Sequence, residues 1–228
     1  MINSRILFMC LAVRLLVMMS LMMAQVCLAG WELAKEDDKR QIRVFTREAE
    51  QSDLREFRGE MRLQTTLSAL VALIEDNKSG PEWIHHCRAL EVIEQISEHE
   101  RLFYMVTEAP WPVKDRDSVV YSVLSQDEVS GTVHIDMQVR NDVFPASDDL
   151  VRIKDMKGFW EFRPEDDGWV TVIYQVHADP AGGIPAWLAN SMVVDSPYYT
   201  LKNMRKMVAK EPYLSSRPSH IHDIATGQ

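Results

Sequence analysis

The sequence predicts an α+β domain, a curved antiparallel sheet of about eight or nine strands wrapped around one long C-terminal helix. Three observations carry that expectation. Between residues 41 and 177 most segments alternate apolar and polar residues with the period of two that a half-buried strand requires. From Ile184 the period lengthens to that of a helix, through Trp187, Leu188, Val194, Tyr198, Leu201 and Val208. The helical patterns bracket the strands instead of alternating with them, which excludes a doubly wound parallel sheet, and a sheet this large must curl.

Taken in order, residues 31–40 (WELAKEDDKR) read as a short amphipathic helix. Residues 41–46 and 54–63 read as two strands joined by a polar turn. Thr65 or Thr66 can cap a helix carrying Leu67, Leu70, Val71 and Ile74, and Pro81 can open a further helical turn. Strands are then expected over 90–96, 102–107, 118–124 and 131–140; the last places Val133, Ile135, Met137 and Val139 on one face. Residues 151–162 hold one or two strands broken near Gly158, and Asp166-Asp167-Gly168 is a hairpin turn. Residues 169–177 alternate again. Pro197 predicts a kink in the last helix, or a restart capped by Asp195 or Ser196.

Three segments are expected: a signal peptide over 1–29, a binding domain over 30–210 and a flexible tail over 211–228. Residues 15–29 (LLVMMSLMMAQVCLA) are nearly all apolar but shorter than the roughly 20 residues of a spanning helix. Small residues precede Gly30, as at a signal-peptidase site. The chain is therefore expected to be exported, and periplasmic in a Gram-negative host; the alternative is an uncleaved N-terminal anchor. Removing Arg5 and Arg14 leaves 23 basic against 34 acidic residues, a net charge of −11. That balance argues against binding nucleic acid and against general adsorption to anionic membranes. Cys10 and Cys27 leave with the same segment, so Cys87 has no internal disulfide partner. It follows His85 and His86, but adjacent residues rarely converge on one metal ion, and a buried structural thiol is the expectation.

No Gly-x-Ser-x-Gly elbow, phosphate-cradling glycine loop or zincin motif occurs. His134 with Asp136 fits a solvent-facing strand. His177 and Asp179, two apart near a strand end, are either a base and its orienter or a rim histidine.

The order of elements resembles START, the steroidogenic-acute-regulatory-protein-related lipid-transfer domain. Local phrases support the likeness: Glu56-Phe57-Arg58-Gly59, Pro81-Glu82-Trp83-Ile84, Pro110-Trp111-Pro112-Val113-Lys114-Asp115-Arg116-Asp117, Gly158-Phe159-Trp160-Glu161-Phe162, and Asp179-Pro180 followed by Pro185-Ala186-Trp187-Leu188-Ala189-Asn190. The resemblance implies a helix-grip fold enclosing a hydrophobic tunnel for one lipid, with the last helix and nearby loops as a lid, and no chemistry. The sterol-binding members bury an acid and an arginine on facing strands; Ser122 lies near the arginine's place, a departure that argues against a sterol.

Candidate ligand-binding residues are Trp111, Arg116, Tyr121, Trp160, Phe162, Tyr174, Trp187, Leu188, Ser191 and Tyr198. Arg116 either orients a headgroup or forms an ion pair with its flanking aspartates. Trp111 is a lid or a core plug, and Gly182-Gly183 a hinge or a turn. The expected partner is a lipid or other hydrophobic small molecule, met by a monomer in transient membrane contact, with no cofactor and no metal. A polyketide-cyclase-like or hydrolytic activity in the same cavity is the alternative.

Overall fold

The computed structural model describes residues 30–49, 54–184 and 186–223. The expected signal peptide, 1–29, lies outside them. Ten strands form one sheet: β1 (Glu32–Asp37), β2 (Ile42–Glu48), β3 (Arg55–Gln64), β4 (Cys87–Gln95), β5 (Glu100–Thr107), β6 (Arg116–Gln126), β7 (Val133–Val139), β8 (Val151–Arg152), β9 (Asp155–Pro164) and β10 (Trp169–Asp179). The helices are α1 (Leu67–Glu75), α2 (Gly80–Trp83) and the long α3 (Ala186–Met207).

The strand order is β1-β2-β3-β10-β9-β7-β6-β5-β4, with the short β8 beside β6. β1 to β3, β4 to β7, and β9 with β10 are runs of consecutive strands that pair antiparallel, whereas β8 runs parallel to β6. β3 and β4 are consecutive in the chain but lie far apart in the sheet. α1 and α2 make that crossing, and α1 begins where expected, with Thr66 Oγ1 accepting from the Ala69 amide at 3.1 Å. The helix-grip architecture follows: the sheet curls around α3, which packs on β2 and β3.

Register fixes which residues face inward. Val176, Tyr174 and Val172 of β10 oppose Phe57, Gly59 and Met61 of β3, and also Gly158, Trp160 and Phe162 of β9. Across the other half, Val120 of β6 opposes Phe103 of β5, and Ser118 opposes Met105. Gly59 is needed because α3 comes close: a Cβ there would lie 2.8 Å from Leu201 Cδ1 and 3.2 Å from Pro197 Cβ.

Four expectations are corrected. Residues 31–40 do not form a helix, because β2 offers an open edge and Glu32–Asp37 pairs with it as a charged edge strand. The break within 151–162 falls at Ile153 and Lys154, not at Gly158. Gly158 sits mid-strand, where a Cβ would lie 2.4 Å from the Gln175 carbonyl oxygen. α3 runs through Pro197 without a restart; Asp195 pairs with Lys35 at 3.0 Å instead of capping. The tail after Glu211 packs as far as Asp223: Tyr213 and Ile221 are buried in the core, and Tyr213 Oη donates to Asp76 at 2.7 Å.

Candidate functional site

The concave face of the sheet is filled at one end and hollow at the other. At the filled end, Met61, Leu63, Leu124, Val133, Ile135, Phe162, Val170 and Val172 pack against α1, Trp83 and the C-terminal half of α3. The hollow end is a cavity of about 380 Å³ beneath Ile184 and the α3 residues Met192, Val193 and Ser196. That volume suits one small apolar ligand, since such sites measure roughly 300–1,000 Å³. Phe57, Phe103, Met105, Val120, Met137, Met156, Tyr174 and Val176 supply its apolar walls. Tyr174 stacks on Trp160 at 3.8 Å and 5°, and Phe57 meets Tyr174 edge-on at 5.1 Å. This aromatic group closes the cavity toward the core.

Two arginines and one histidine line the cavity, Arg55, Arg116 and His85, and no carboxylate does among its described lining residues. Arg55 Nη2 donates to Glu32 at 2.5 Å and to Thr46 Oγ1 at 2.9 Å. Burial, with His86 adding to it, lowers the His85 pKa from its ordinary value and so favours the neutral imidazole. Burial likewise pushes the Tyr174 phenol above its ordinary range.

Arg116 corrects the ion-pair expectation. Asp115 pairs with Arg88, and Asp117 with Arg152, whose Nε and Nη2 reach its two oxygens at 3.0 and 2.8 Å. The alternation of β6 explains this: Arg116, Ser118 and Val120 face the cavity, while Asp117 turns to the back of the sheet. There the Tyr104 hydroxyl also donates to Asp117, at 3.1 Å. Arg116 is only 3% exposed. Its Nη1 donates to the Lys114 carbonyl and its Nη2 to the Ala181 carbonyl at 3.4 Å, while its buried Nε has no hydrogen-bond partner. Burial lowers its pKa, with Asp115 acting the other way.

Of the candidate residues, Arg116 and Tyr174 line the cavity. Trp111 and Leu188 line an adjoining groove with Arg116, Gly182 and Gly183, and Trp111 is 93% exposed, a rim residue and not a core plug. Tyr121, Trp160, Phe162, Ser191 and Tyr198 are not among the described lining residues. Trp160 and Phe162 belong to the filled core, because α1 and Trp83 cover their stretch of β9. Tyr198 is buried and donates to Asp37 at 2.9 Å, Tyr121 donates to Glu100, and Ser191 is exposed and bonds the Leu188 carbonyl. The side chain of Trp187 lies outside the described residues. Sequence reasoning missed Phe57, Phe103 and the methionines 105, 137, 156 and 192. Inward alternation on β5 and β7 would have found three of them, Phe103, Met105 and Met137.

His177 and Asp179 form no base and orienter pair: Asp179 accepts from the Ala181 amide, and His177 Nδ1 is buried without a partner. Cys87 is a buried thiol, with Sγ 3.5 Å from the Ala89 carbonyl oxygen. Among the described residues no group of three or more His, Cys, Asp or Glu is placed to hold a metal ion.

Known proteins agree with this architecture. The chain is 37% identical to a STAR-related lipid transfer protein from Xanthomonas axonopodis, whose crystal structure superposes with a TM-score of 0.72 over 79% of this chain and 99% of that one. It is 33% identical to the uncharacterized protein PA1579 of Pseudomonas aeruginosa over 79% of this chain and 87% of that protein. Human STARD10, at 18% identity, shares the fold with a TM-score of 0.71, over 85% of this chain and 78% of its own. The START domain model matches residues 16–212, and with a hollow sheet gripping its last helix the chain belongs to the START family.

Proposed function

We propose that this protein binds one lipid, or a similar hydrophobic molecule, in the cavity under α3 and transfers or presents it without changing it. The observation that carries this reading is the cavity itself, walled by aromatic, aliphatic and methionine side chains from six strands. Apolar burial contributes about 25 cal/mol per Å² removed from water, which is enough to hold a hydrocarbon chain without any catalytic group. A lipid reaches the cavity when the first turns of α3 move away from the Trp111 loop, and the turn at Gly182 and Gly183 provides the hinge. The exposed Trp111 suits brief contact with a bilayer interface, where indole rings concentrate. The charge of −11 keeps such contact short on anionic lipid. Residues 1–29 direct export, and the protein works as a monomer in the periplasm of a Gram-negative host.

Native mass spectrometry of protein purified from its own host tests the reading. One extractable apolar molecule per chain is expected, exchangeable with vesicles, on a chain that starts at Gly30. A chain that releases nothing on extraction and takes up no fluorescent lipid overturns it.

A further inference from the structure

The chain carries 34 acidic and 25 basic residues, yet the described lining of its cavity inverts that balance, with two arginines and no acid. One of the two, Arg55, is neutralised by Glu32. The other is not. Arg116 is only 3% exposed, and no carboxylate among the described residues forms an ion pair with it. The acids beside it in sequence are held elsewhere: Asp115 by Arg88 and the Ala109 amide at 2.9 Å, Asp117 by Arg152 and Tyr104. A guanidinium offers five N–H donors in a planar fork. Here two backbone carbonyls take one bond each and the buried Nε takes none. A buried cation that only the nearby Asp115 partly offsets, with no ion-pair partner of its own, is costly, and an anion in the adjoining cavity lowers that cost.

We infer that the ligand is an acidic amphiphile, a hydrocarbon chain ending in a carboxylate or phosphate, whose anionic group is received by Arg116. This rests on the cavity being a lipid site and names the class of lipid. Position supports it. Arg116 lines both the cavity and the outer groove with Trp111 and Gly182, so it stands at the mouth, with the hydroxyls of Ser118 and Thr107 on the same wall. The wall beyond, through Met105, Val120 and Phe103, is apolar. The headgroup is therefore held near the rim and the chain points inward.

A matched series tests the inference on delipidated full-length protein at pH 8: hexadecanoate, hexadecyl phosphate, neutral hexadecanol, and inorganic phosphate. At least one of the two acidic amphiphiles is expected to bind about tenfold or more tighter than hexadecanol, the worth of one or two charge-assisted hydrogen bonds. Inorganic phosphate, which lacks the chain, is expected not to bind. Arg116→Gln should erase the preference, so that acid and alcohol bind that variant alike, and Arg116→Lys should keep part of it. Equal binding of hexadecanol and both acids by the unmodified protein overturns the acidic class while leaving the carrier reading standing. Failure of all three amphiphiles overturns the carrier reading itself. Inorganic phosphate binding as well as hexadecyl phosphate also overturns the inference, since the site would then serve a free anion. If Arg116→Gln does not fold, the preference of the unmodified protein decides.

Discussion

Val120→Phe separates a hollow interior from a packed one by the sign of its effect. Val120 is 0% exposed and lies mid-strand on β6, opposite Phe103 and Val139. In an ordinary core such a change overpacks and costs about 1–3 kcal/mol. Here the side chain borders a void of about 380 Å³, so the ring has room. Four added carbons, at about 0.8 kcal/mol per buried CH₂, give an upper limit near 3 kcal/mol. Ordering the ring takes back about 1 kcal/mol, leaving roughly 2 kcal/mol of stabilisation. For a domain of this size that raises Tm by about 4–8 °C. The ring also occupies space that a bound chain needs. Losing burial of about two CH₂ groups weakens hexadecanoate binding about tenfold. Calorimetry of the delipidated protein and a fluorescence titration read both effects. A lower Tm together with unchanged affinity would refute the hollow interior.

The remaining predictions concern the frame around the cavity. Gly158→Ala brings a Cβ to 2.4 Å from the Gln175 carbonyl oxygen and 2.7 Å from Val176 Cγ2, and should lower stability by about 1–3 kcal/mol, seen as a lower urea midpoint at constant m. Asp117→Ala strands the Arg152 guanidinium behind β6; a loss of about 3 kcal/mol or more is expected in urea, whereas Tyr104→Phe, which removes one hydrogen bond, should lose about 1 kcal/mol. Burial pushes the Cys87 thiol up to about 11. At pH 8 it should therefore react with a disulfide reagent at least about a hundredfold more slowly than in the urea-unfolded chain, and equal rates would contradict its burial. Trp111→Ala should reduce co-sedimentation with vesicles and leave Tm within about 1 °C, because the side chain is 93% exposed; unchanged sedimentation would remove Trp111 from the membrane contact.

Periodicity showed which face of each element turns inward, and little about how far along the strand the interior stays filled. The strands over 131–140 and 169–177, the Thr66 cap and the helix past Ile184 were legible because each is written in local residue order. Residues 31–40 were not: their charges suit a helix surface as well as an edge strand, and only the open side of β2 decides between them. The same non-local choice misplaced Trp160 and Phe162. Both face inward on β9, as their alternation implies, but α1 and Trp83 settle over their end of the sheet and leave the Gly158 and Met156 end uncovered. No residue within β9 records where a helix from another part of the chain will land.

Arg116 is the opposite case, because its surroundings could have been read from the sequence. Once a strand begins at Arg116, a period of two sends Asp117 to the other face, while Ser118 and Val120 stay on the arginine's own side. Its nearest acid in the strand is thereby withdrawn, whatever the tertiary contacts. The structure adds that Asp115 also turns away, toward Arg88, and that the vacated side opens on a cavity. Two aspartates flanking an arginine in sequence look like a neutralised cluster, and strand geometry makes of them a cation that faces the cavity without an ion pair to either.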